Sequence, residues 1–336
     1  MTPILEVENL VKQYGDFYAV NGINFSVEEG EVFGLLGPNG AGKTQTISML
    51  TGIIAPTQGT ARIGGYDILE SMEKVKEING LVPQELALYP TLSARANLNF
   101  FGRIYGLRGK ELAERVEDVL EIVAMTERAN ETVDKYSGGM KRRVNIAAGL
   151  VHQPRLLFLD EPTVGVDPQS RNQIFESVLS LNRDRGMTII YTSHYMEEVE
   201  YLCTRVAIID EGKFIAMDTV ENLIAMLGGG VIQVGFHEVD EGLLAQISAL
   251  PAVNKASLLP QEPTLPTGEE AEAEEIEEAP EESVQIVKVE CANSQQALVD
   301  LIEFTNQRDL KITSLKILDP NLESVFLHLT GKKLRE

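Results

Sequence analysis

The sequence lacks long apolar runs. Its longest apolar stretches are short, such as LLFL at residues 156–159 and VAII at 206–209. Both fall far below the roughly 20 apolar residues that a bilayer-spanning helix needs. The beginning, MTPILEVENLVKQYG, also lacks the basic and then apolar layout of a secretory signal. These absences predict a cytoplasmic protein without a membrane span of its own.

Cysteine is scarce. The two cysteines, Cys203 and Cys291, lie far apart in the chain. They could pair, but two lone cysteines in a cytosolic protein are more often buried as small hydrophobic residues. No Cys/His spacing suits zinc. The sequence therefore argues against a disulfide-rich scaffold and against a zinc motif.

Positive charge is also low, with 29 Lys and Arg against 51 Asp and Glu and a net charge of -22. Nucleic-acid binding needs concentrated Lys and Arg, so we expect no nucleic-acid partner. Part of the acidity is local, because residues 261–282 hold ten Glu and no Lys or Arg. We interpret this run as a solvated, disordered loop.

Alternating strand and helix patterns predict an α/β fold. The strand-like segments include VFGLL (32–36), RLLFLD (155–160), MTIIYTS (187–193) and RVAIID (205–210). With helices between them, these strands indicate a parallel sheet that is covered on both faces. Helical periodicity predicts a helical subdomain at residues 86–150, inserted into this core. The alternating segment Ile4–Val11 predicts an edge strand.

A second domain is expected after the glycines at 228–230. The predicted domains are residues 1–227 and 228–336. Beyond the glycines the patterns follow the order β-α-β-β-α-β, which is that of a ferredoxin-like α+β domain. The acidic run then lengthens the loop between its second and third strands, where an insertion costs little.

The stretch GPNGAGKTQT (37–46) fits the phosphate-binding pattern G-x-x-x-x-G-K-[ST], between a predicted strand and a predicted helix. The glycines let backbone amides approach phosphate oxygens, Lys43 adds positive charge, and Thr44 offers a hydroxyl to Mg²⁺. A Gly-rich turn that binds nothing is the alternative. Kinases, GTPases, helicases and transporters share this loop, so it predicts a nucleotide but not an activity. The expected contact residues are Gly37, Pro38, Asn39, Gly40, Ala41, Gly42, Lys43, Thr44 and Gln45.

Two adjacent carboxylates, Asp160 and Glu161, follow the apolar segment RLLFL. At the carboxyl end of a parallel strand they face the crevice where ligands bind. Asp160 can join the ligand shell of Mg²⁺, and Glu161 can accept the proton of an attacking water. A charged strand end before Pro162 is the alternative.

A second glycine-containing motif is YSGGMKRR (136–143), ahead of a helical segment. Ser137 is a favourable N-cap, and Gly138 and Gly139 leave the helix N-terminus open to an anion. An ordinary helix cap is the alternative. We expect the following Lys141, Arg142 and Arg143 on a solvated face.

Taken in their order along the chain, the motifs resemble those of ABC transporter ATP-binding subunits over roughly residues 4–220. GPNGAGKT resembles the Walker A motif, FLDEP the Walker B motif, and YSGGM the family signature. Gln84 in LVPQ, Asp167 in VGVDP and His194 in TSH occupy the places of the Q-loop, the D-loop and the switch histidine. Tyr14 in KQYG occupies the place of the aromatic residue that stacks on adenine.

The resemblance implies roles that residue chemistry alone does not. It implies that Gln84 reaches Mg²⁺ or the attacking water, that His194 contacts the γ-phosphate, and that Asp167 lies across a dimer contact. By chemistry alone, Gln84 is an ordinary loop residue, His194 is polar surface and Asp167 is a helix N-cap. ATP and Mg²⁺ are the implied cofactors.

Two positions leave questions open. Phe17 and Tyr18 compete with Tyr14 as the ring that stacks on adenine. Gln45 stands where Thr or Ser is common in the family, and we expect it to have only a modest effect on nucleotide contacts.

A narrower likeness is to ABC-2-type exporters, in LYPTLSARANLNFFGRIYGL, YSGGMKRRVNIAAGLVHQP and TSHYMEEVEYLCTRVAIIDEGK. It implies an ATP-hydrolysing subunit that powers export through a separate membrane permease, which docks near residues 84–105. Two copies are expected head to tail, with ATP between Walker A of one and Ser137–Gly139 of the other. The chain is expected on the inner face of the cell membrane, in contact with it only through the permease. A soluble ABC ATPase that is not coupled to transport is the alternative.

Overall fold

The computed structural model describes residues 3–227, 229–259, 285–291, 293–318 and 320–330. The chain divides into two compact units, the first running to Leu223 and the second from Ile224 to Thr330. The acidic run at 261–282 lies outside the described residues. The domain boundary expected between residues 227 and 228 stays a prediction.

Strands and helices are interspersed along the first unit. The strands are β1 (Leu5–Tyr14), β2 (Phe17–Val27), β3 (Val32–Leu36), β4 (Gln58–Ile63), β5 (Tyr66–Asp67), β6 (Asn79–Val82), β7 (Leu156–Asp160), β8 (Thr188–Ser193), β9 (Arg205–Asp210) and β10 (Lys213–Thr219). The helices are α1 (Lys43–Leu50), α2 (Met72–Ile78), α3 (Ala94–Ile104), α4 (Gly109–Ile122), α5 (Gly138–Leu150), α6 (Pro168–Arg185) and α7 (Met196–Leu202), and α8 (Val220–Ala225) spans the division between the units.

The larger sheet of the first unit has the strand order β10-β9-β3-β8-β7-β6. Its neighbours pair in parallel, except β9 and β10, which are antiparallel. Every residue of β3, β7 and β8 is buried. Burial on both faces explains why β3 and β7 are almost continuously apolar, whereas β8 also carries the buried hydroxyl residues Thr188, Thr192 and Ser193. The α/β fold expected from the sequence is therefore confirmed.

A smaller antiparallel sheet has the order β2-β1-β4-β5. β1 lies between β2 and β4, so the prediction of an edge strand at Ile4–Val11 was wrong. Residues 5–8 alternate between buried and exposed because one face of the strand is solvated, and this pattern does not distinguish an edge strand from an inner one. Side chains of this sheet, of α1 and of the larger sheet form one apolar cluster.

Helices occupy most of the chain between β6 and β7. They are α3, α4, a 3-10 turn at Val133–Lys135, and α5. Ser93 and Ser137 cap α3 and α5, each accepting a hydrogen bond from a backbone amide three residues on. No helix in the described ranges is both long enough and apolar enough to cross a membrane.

The second unit is built on a four-stranded antiparallel sheet. Its elements are β11 (Val231–Phe236), α9 (Glu241–Ser248), β12 (Val253–Leu258), β13 (Gln285–Cys291), α10 (Ser294–Gln307), β14 (Ser314–Leu318) and α11 (Leu322–Thr330). The strand order is β12-β13-β11-β14. Ile232 and Val234 of β11 share an apolar cluster with Ile247 of α9 and Leu301 of α10. From β11 to β14 the elements follow the expected ferredoxin-like order.

Deleting residues 262–282 should leave the second unit folded. β12 and β13 are antiparallel neighbours, with Leu258 opposite Val287, so a short connection can join them. Shortening the loop about fivefold lowers the cost of closing it by about 1.4 kcal/mol. We expect a Tm equal to or above that of the full chain, with an unchanged ATPase rate. A Gly/Ser segment of the original length is the control, and a lower Tm or rate in both variants would mean that the acidic run itself is needed.

Candidate functional site

The phosphate loop joins the end of β3 to α1. Gly37 has no room for a side chain, because a Cβ there would overlap the carbonyl oxygen of Ile209. Gly42 has a φ of 113°, in the left-handed region that favours glycine. The loop turns back on Lys43, whose Nζ donates to the carbonyl oxygens of Gly37 at 2.7 Å and Pro38 at 3.1 Å.

Asp160 ends β7 and faces the first turn of α1. Its Oδ1 accepts hydrogen bonds from Thr192 Oγ1 at 2.8 Å and from Thr44 Oγ1 at 3.3 Å. Burial raises the pKa of Asp160, and the two hydroxyl hydrogen bonds act in the opposite direction. The site therefore holds a buried carboxylate next to the hydroxyl of the loop.

Glu161 is the point at which the other predicted residues meet. Its Oε1 lies 3.0 Å from Nζ of Lys43, and its Oε2 lies 3.3 Å from Nε2 of Gln84 and 3.3 Å from Nδ1 of His194. Glu161 is only 4% exposed. Gln84 follows β6, Glu161 follows β7 and His194 follows β8, so the carboxyl ends of three neighbouring parallel strands bring these side chains together.

A cavity of about 480 Å³ opens beside the loop. Its lining includes Tyr14, Phe17, Lys43, Gln45 and Glu161. Tyr14 is half exposed, and its hydroxyl donates to Oε1 of Gln45 at 2.9 Å. Gln45 thus has a structural partner that its sequence position did not indicate, and Phe17 shares the cavity with Tyr14.

The Ser137–Gly139 segment forms the start of α5, and it faces α6. A Cβ on Gly139 would overlap the side chain of Ser170. Asp167 caps α6 by accepting the Ser170 amide at 2.9 Å, and this hydrogen bond helps to lower the pKa of Asp167. Among the described residues, no hydrogen bond or ion pair joins Ser137–Gly139 to the phosphate loop of the same chain.

Two of the basic residues after Gly139 are buried, whereas the sequence predicted a solvated face. Arg142 and Arg143 are 5% and 9% exposed, so the prediction of a solvated face was wrong for both. Arg142 Nη1 donates to the carbonyl oxygen of Pro83 at 3.0 Å, and Asn145 accepts the amide of Ala87 at 3.1 Å. α5 therefore holds the chain on both sides of Gln84. A polar Asn in an otherwise apolar helical segment, NIAAGLV, was the available signal.

Comparison with known proteins agrees with this geometry. The chain is 45% identical to the linearmycin resistance ATP-binding protein of Bacillus subtilis over 334 residues, which is 99% of this chain and 100% of that protein. The chain belongs to the ABC transporter family. The ABC transporter family profile matches residues 20–164. The resemblance to ABC transporter ATP-binding subunits is confirmed, and so are ATP as ligand and ATP hydrolysis as activity.

Two further ABC proteins support the assignment. A Nod factor export ATP-binding protein I of Cupriavidus metallidurans is 42% identical over 241 residues, covering 71% of this chain and 79% of that one. The solved structure of cbiO1 from Clostridium perfringens, part of the ABC transporter complex cbiONQ, matches with a TM-score of 0.62 and 30% identity. It covers 67% of this chain and 92% of cbiO1. The expected likeness to exporter ATPases therefore agrees with the names of the relatives.

Replacing Gly139 by alanine should destabilise this ABC ATPase, because the new Cβ would displace Ser170 in a packed contact between α5 and α6. Overpacking of this kind costs about 1–3 kcal/mol in the free energy of unfolding. Gly138→Ala is the matched control, since its Cβ would find its nearest neighbour, the carbonyl oxygen of Gly165, at 3.7 Å. Denaturant unfolding should separate the two variants, and equal stability would contradict the packing argument.

Proposed function

We propose that this ABC ATPase powers export of a substrate through a separate membrane permease, with two copies arranged head to tail. The observation that carries the proposal is the convergence of Lys43, Gln84 and His194 on the carboxylate of Glu161, beside a phosphate loop. The names of the relatives, which are resistance and export ATP-binding proteins, support export.

Nucleotide binding would change the partners of Lys43. Its ammonium group now contacts Glu161 and two loop carbonyl oxygens. The β- and γ-phosphates offer a stronger negative charge, so we infer that Lys43 exchanges the Glu161 contact for the phosphates. Glu161 is then released for chemistry. Tyr14 is the proposed ring for stacking on adenine, because Gln45 fixes its hydroxyl.

The residues present fit a magnesium ion. Thr44, Asp160 and Gln84 supply hydroxyl, carboxylate and amide oxygens, which are the ligand types that Mg²⁺ prefers. Thr44 Oγ1 and Asp160 Oδ1 already lie 3.3 Å apart, and Asp160 is a buried carboxylate that a cation would compensate. We infer that these residues hold Mg²⁺, which supplies neutralising charge to the phosphates when bound.

Glu161 is the proposed general base. Its carboxylate accepts the proton of the attacking water, and Gln84, at 3.3 Å from it, orients that water. His194 turns Nδ1 towards Glu161, so we assign the γ-phosphate contact to its Nε2. Glu161 and Gln84 would thus act on the attacking water, and His194 on the γ-phosphate next to it.

A second copy completes the site. The start of α5 presents backbone amides and the positive end of the helix dipole, which suit the γ-phosphate of ATP held by another copy. We infer that Ser137, Gly138 and Gly139 of each copy contact that nucleotide and that Asp167 lies at the contact between copies.

The proposed contact with the permease is the segment 84–105. It exposes several large apolar side chains, namely Leu86, Tyr89, Leu92, Phe100, Ile104 and Tyr105. Such a grouping favours a protein contact over free solvent. The chain would then lie on the inner face of the cell membrane, held there only by the permease.

Replacing Glu161 by Gln should leave ATP binding intact and nearly stop hydrolysis, because the amide cannot accept a proton. A positioned base contributes about 10²–10⁴-fold, so we expect kcat to fall by at least about 100-fold. Dimers should then accumulate with ATP in size-exclusion chromatography. Glu85→Gln, which neutralises an exposed carboxylate beside Gln84, is the control. Normal turnover in Glu161→Gln would remove Glu161 as the base.

A photo-crosslinker at Tyr89 should capture an integral membrane protein in intact cells, because this side chain is 47% exposed within the proposed docking segment. The product should remain in alkali-washed membranes. Tyr66, 37% exposed and outside that segment, is the control position. An uncrosslinked chain that stays in the soluble fraction would favour the soluble ABC ATPase instead.

A further inference from the structure

Glu198 is one of the buried carboxylates of the first unit. It lies on α7 and is 2% exposed. Its Oε2 accepts three hydroxyl hydrogen bonds, from Thr163 at 2.9 Å, Tyr191 at 3.0 Å and Ser193 at 2.9 Å. A buried charge is costly unless it is paired or hydrogen-bonded, so these hydroxyls explain how the carboxylate is accommodated. We call these four side chains the Glu198 cluster.

The donors of the Glu198 cluster come from two functional segments. Thr163 lies two residues after Glu161, and Ser193 lies immediately before His194. Tyr191, by contrast, lies within β8 and adjoins neither of them. A single carboxylate oxygen therefore ties the chain that follows Glu161 to the chain that leads into His194.

The backbone of Glu161 needs such support. Its φ is 46°, a left-handed conformation that a residue with a side chain rarely adopts. Strained residues of this kind persist only where surrounding contacts hold them. One contact is the Glu161 amide, which donates to Thr192 Oγ1 at 2.9 Å. A further hydrogen bond, from the Thr163 hydroxyl to Glu198, holds the chain two residues beyond Glu161.

The remaining oxygen of Glu198 reaches a third segment. Oε1 lies 3.7 Å from Nε of Arg171 on α6, beyond hydrogen-bond distance but within that of an ion pair. The Arg171 amide donates to the carbonyl oxygen of Asp167, the residue that caps α6. Burial, followed by the nearby Glu198 charge, raises the pKa of Tyr191 well above its usual value, so Tyr191 stays a proton donor.

We propose that Glu198 is a positioning residue for ATP hydrolysis, which fixes Glu161 and His194 relative to each other without touching the nucleotide. The inference rests on the roles proposed above for Glu161 and His194. A shift of about 1 Å in a reacting group can lower the rate about 100-fold. A contact that holds Glu161 and His194 in place therefore affects the rate of hydrolysis.

The closing experiment removes the hydroxyls one at a time. Thr163→Val and Ser193→Ala each detach one functional segment from Glu198, whereas Tyr191→Phe removes the same kind of hydrogen bond from the middle of a strand. Thr163→Val is the cleaner of the first two, because Ser193 Oγ also accepts a hydrogen bond from the amide of Tyr195.

We expect kcat to fall about 10- to 100-fold in Thr163→Val and Ser193→Ala, at unchanged ATP affinity. Tyr191→Phe should lower Tm by a similar amount but retain near-parental kcat.

Glu198→Gln should show the same loss of kcat at unchanged ATP affinity, while Glu197→Gln, on the exposed neighbour, should not. If Glu198→Gln does not fold, the three hydroxyl variants decide the question. The inference is overturned if Thr163→Val and Tyr191→Phe retain equal kcat while Glu161→Gln is inactive. Normal hydrolysis in Glu161→Gln would instead overturn the proposed role of Glu161, and the inference would fall with it.

Discussion

The buried ion pair between Lys43 and Glu161 is the contact on which the site depends. The two charges lie 3.0 Å apart, and each residue is 4% exposed. Removing both charges from water is costly, and this cost is met only in part by their attraction and by the loop carbonyl oxygens that Lys43 contacts. The pair joins α1 to the end of β7, so it keeps the phosphate loop and the candidate base together before a nucleotide arrives. A phosphate group can replace Glu161 at Lys43 without leaving the ammonium charge unpaired.

Much of the site was predictable because short motifs carried it. The spacing of Gly37, Lys43 and Thr44 identified the loop, and the apolar strand before Asp160 and Glu161 placed both carboxylates in a ligand crevice. The parallel sheet was predictable for the same reason, since β3 and β7 are buried throughout and their sequences are correspondingly apolar. Such features can be predicted from short sequence patterns because neighbouring residues in the chain determine which residue types fit there.

Contacts between distant segments were not predictable. The strand β4 reads QGTARI, which has little apolar character. Its sequence therefore did not indicate that it pairs with one edge of β1. Arg142 is basic, yet it is buried because a carbonyl oxygen 59 residues away in the chain accepts its guanidinium hydrogen bond. Thr192 and Glu198 were equally inconspicuous, since a hydroxyl in a strand and a carboxylate in a helix are common. Their roles depend on partners that only the folded chain brings within reach.

The expectation that both cysteines are buried is confirmed, and this has a practical consequence. Cys203 and Cys291 are both free and buried, and burial raises the pKa of each thiol. Thiols in this state react slowly, because the thiolate is the nucleophile. A cysteine introduced on the exposed surface would therefore be the principal reactive thiol in the chain. Spin labels or fluorophores could be attached there without first removing the native cysteines, and they would report whether two labelled copies approach each other during turnover.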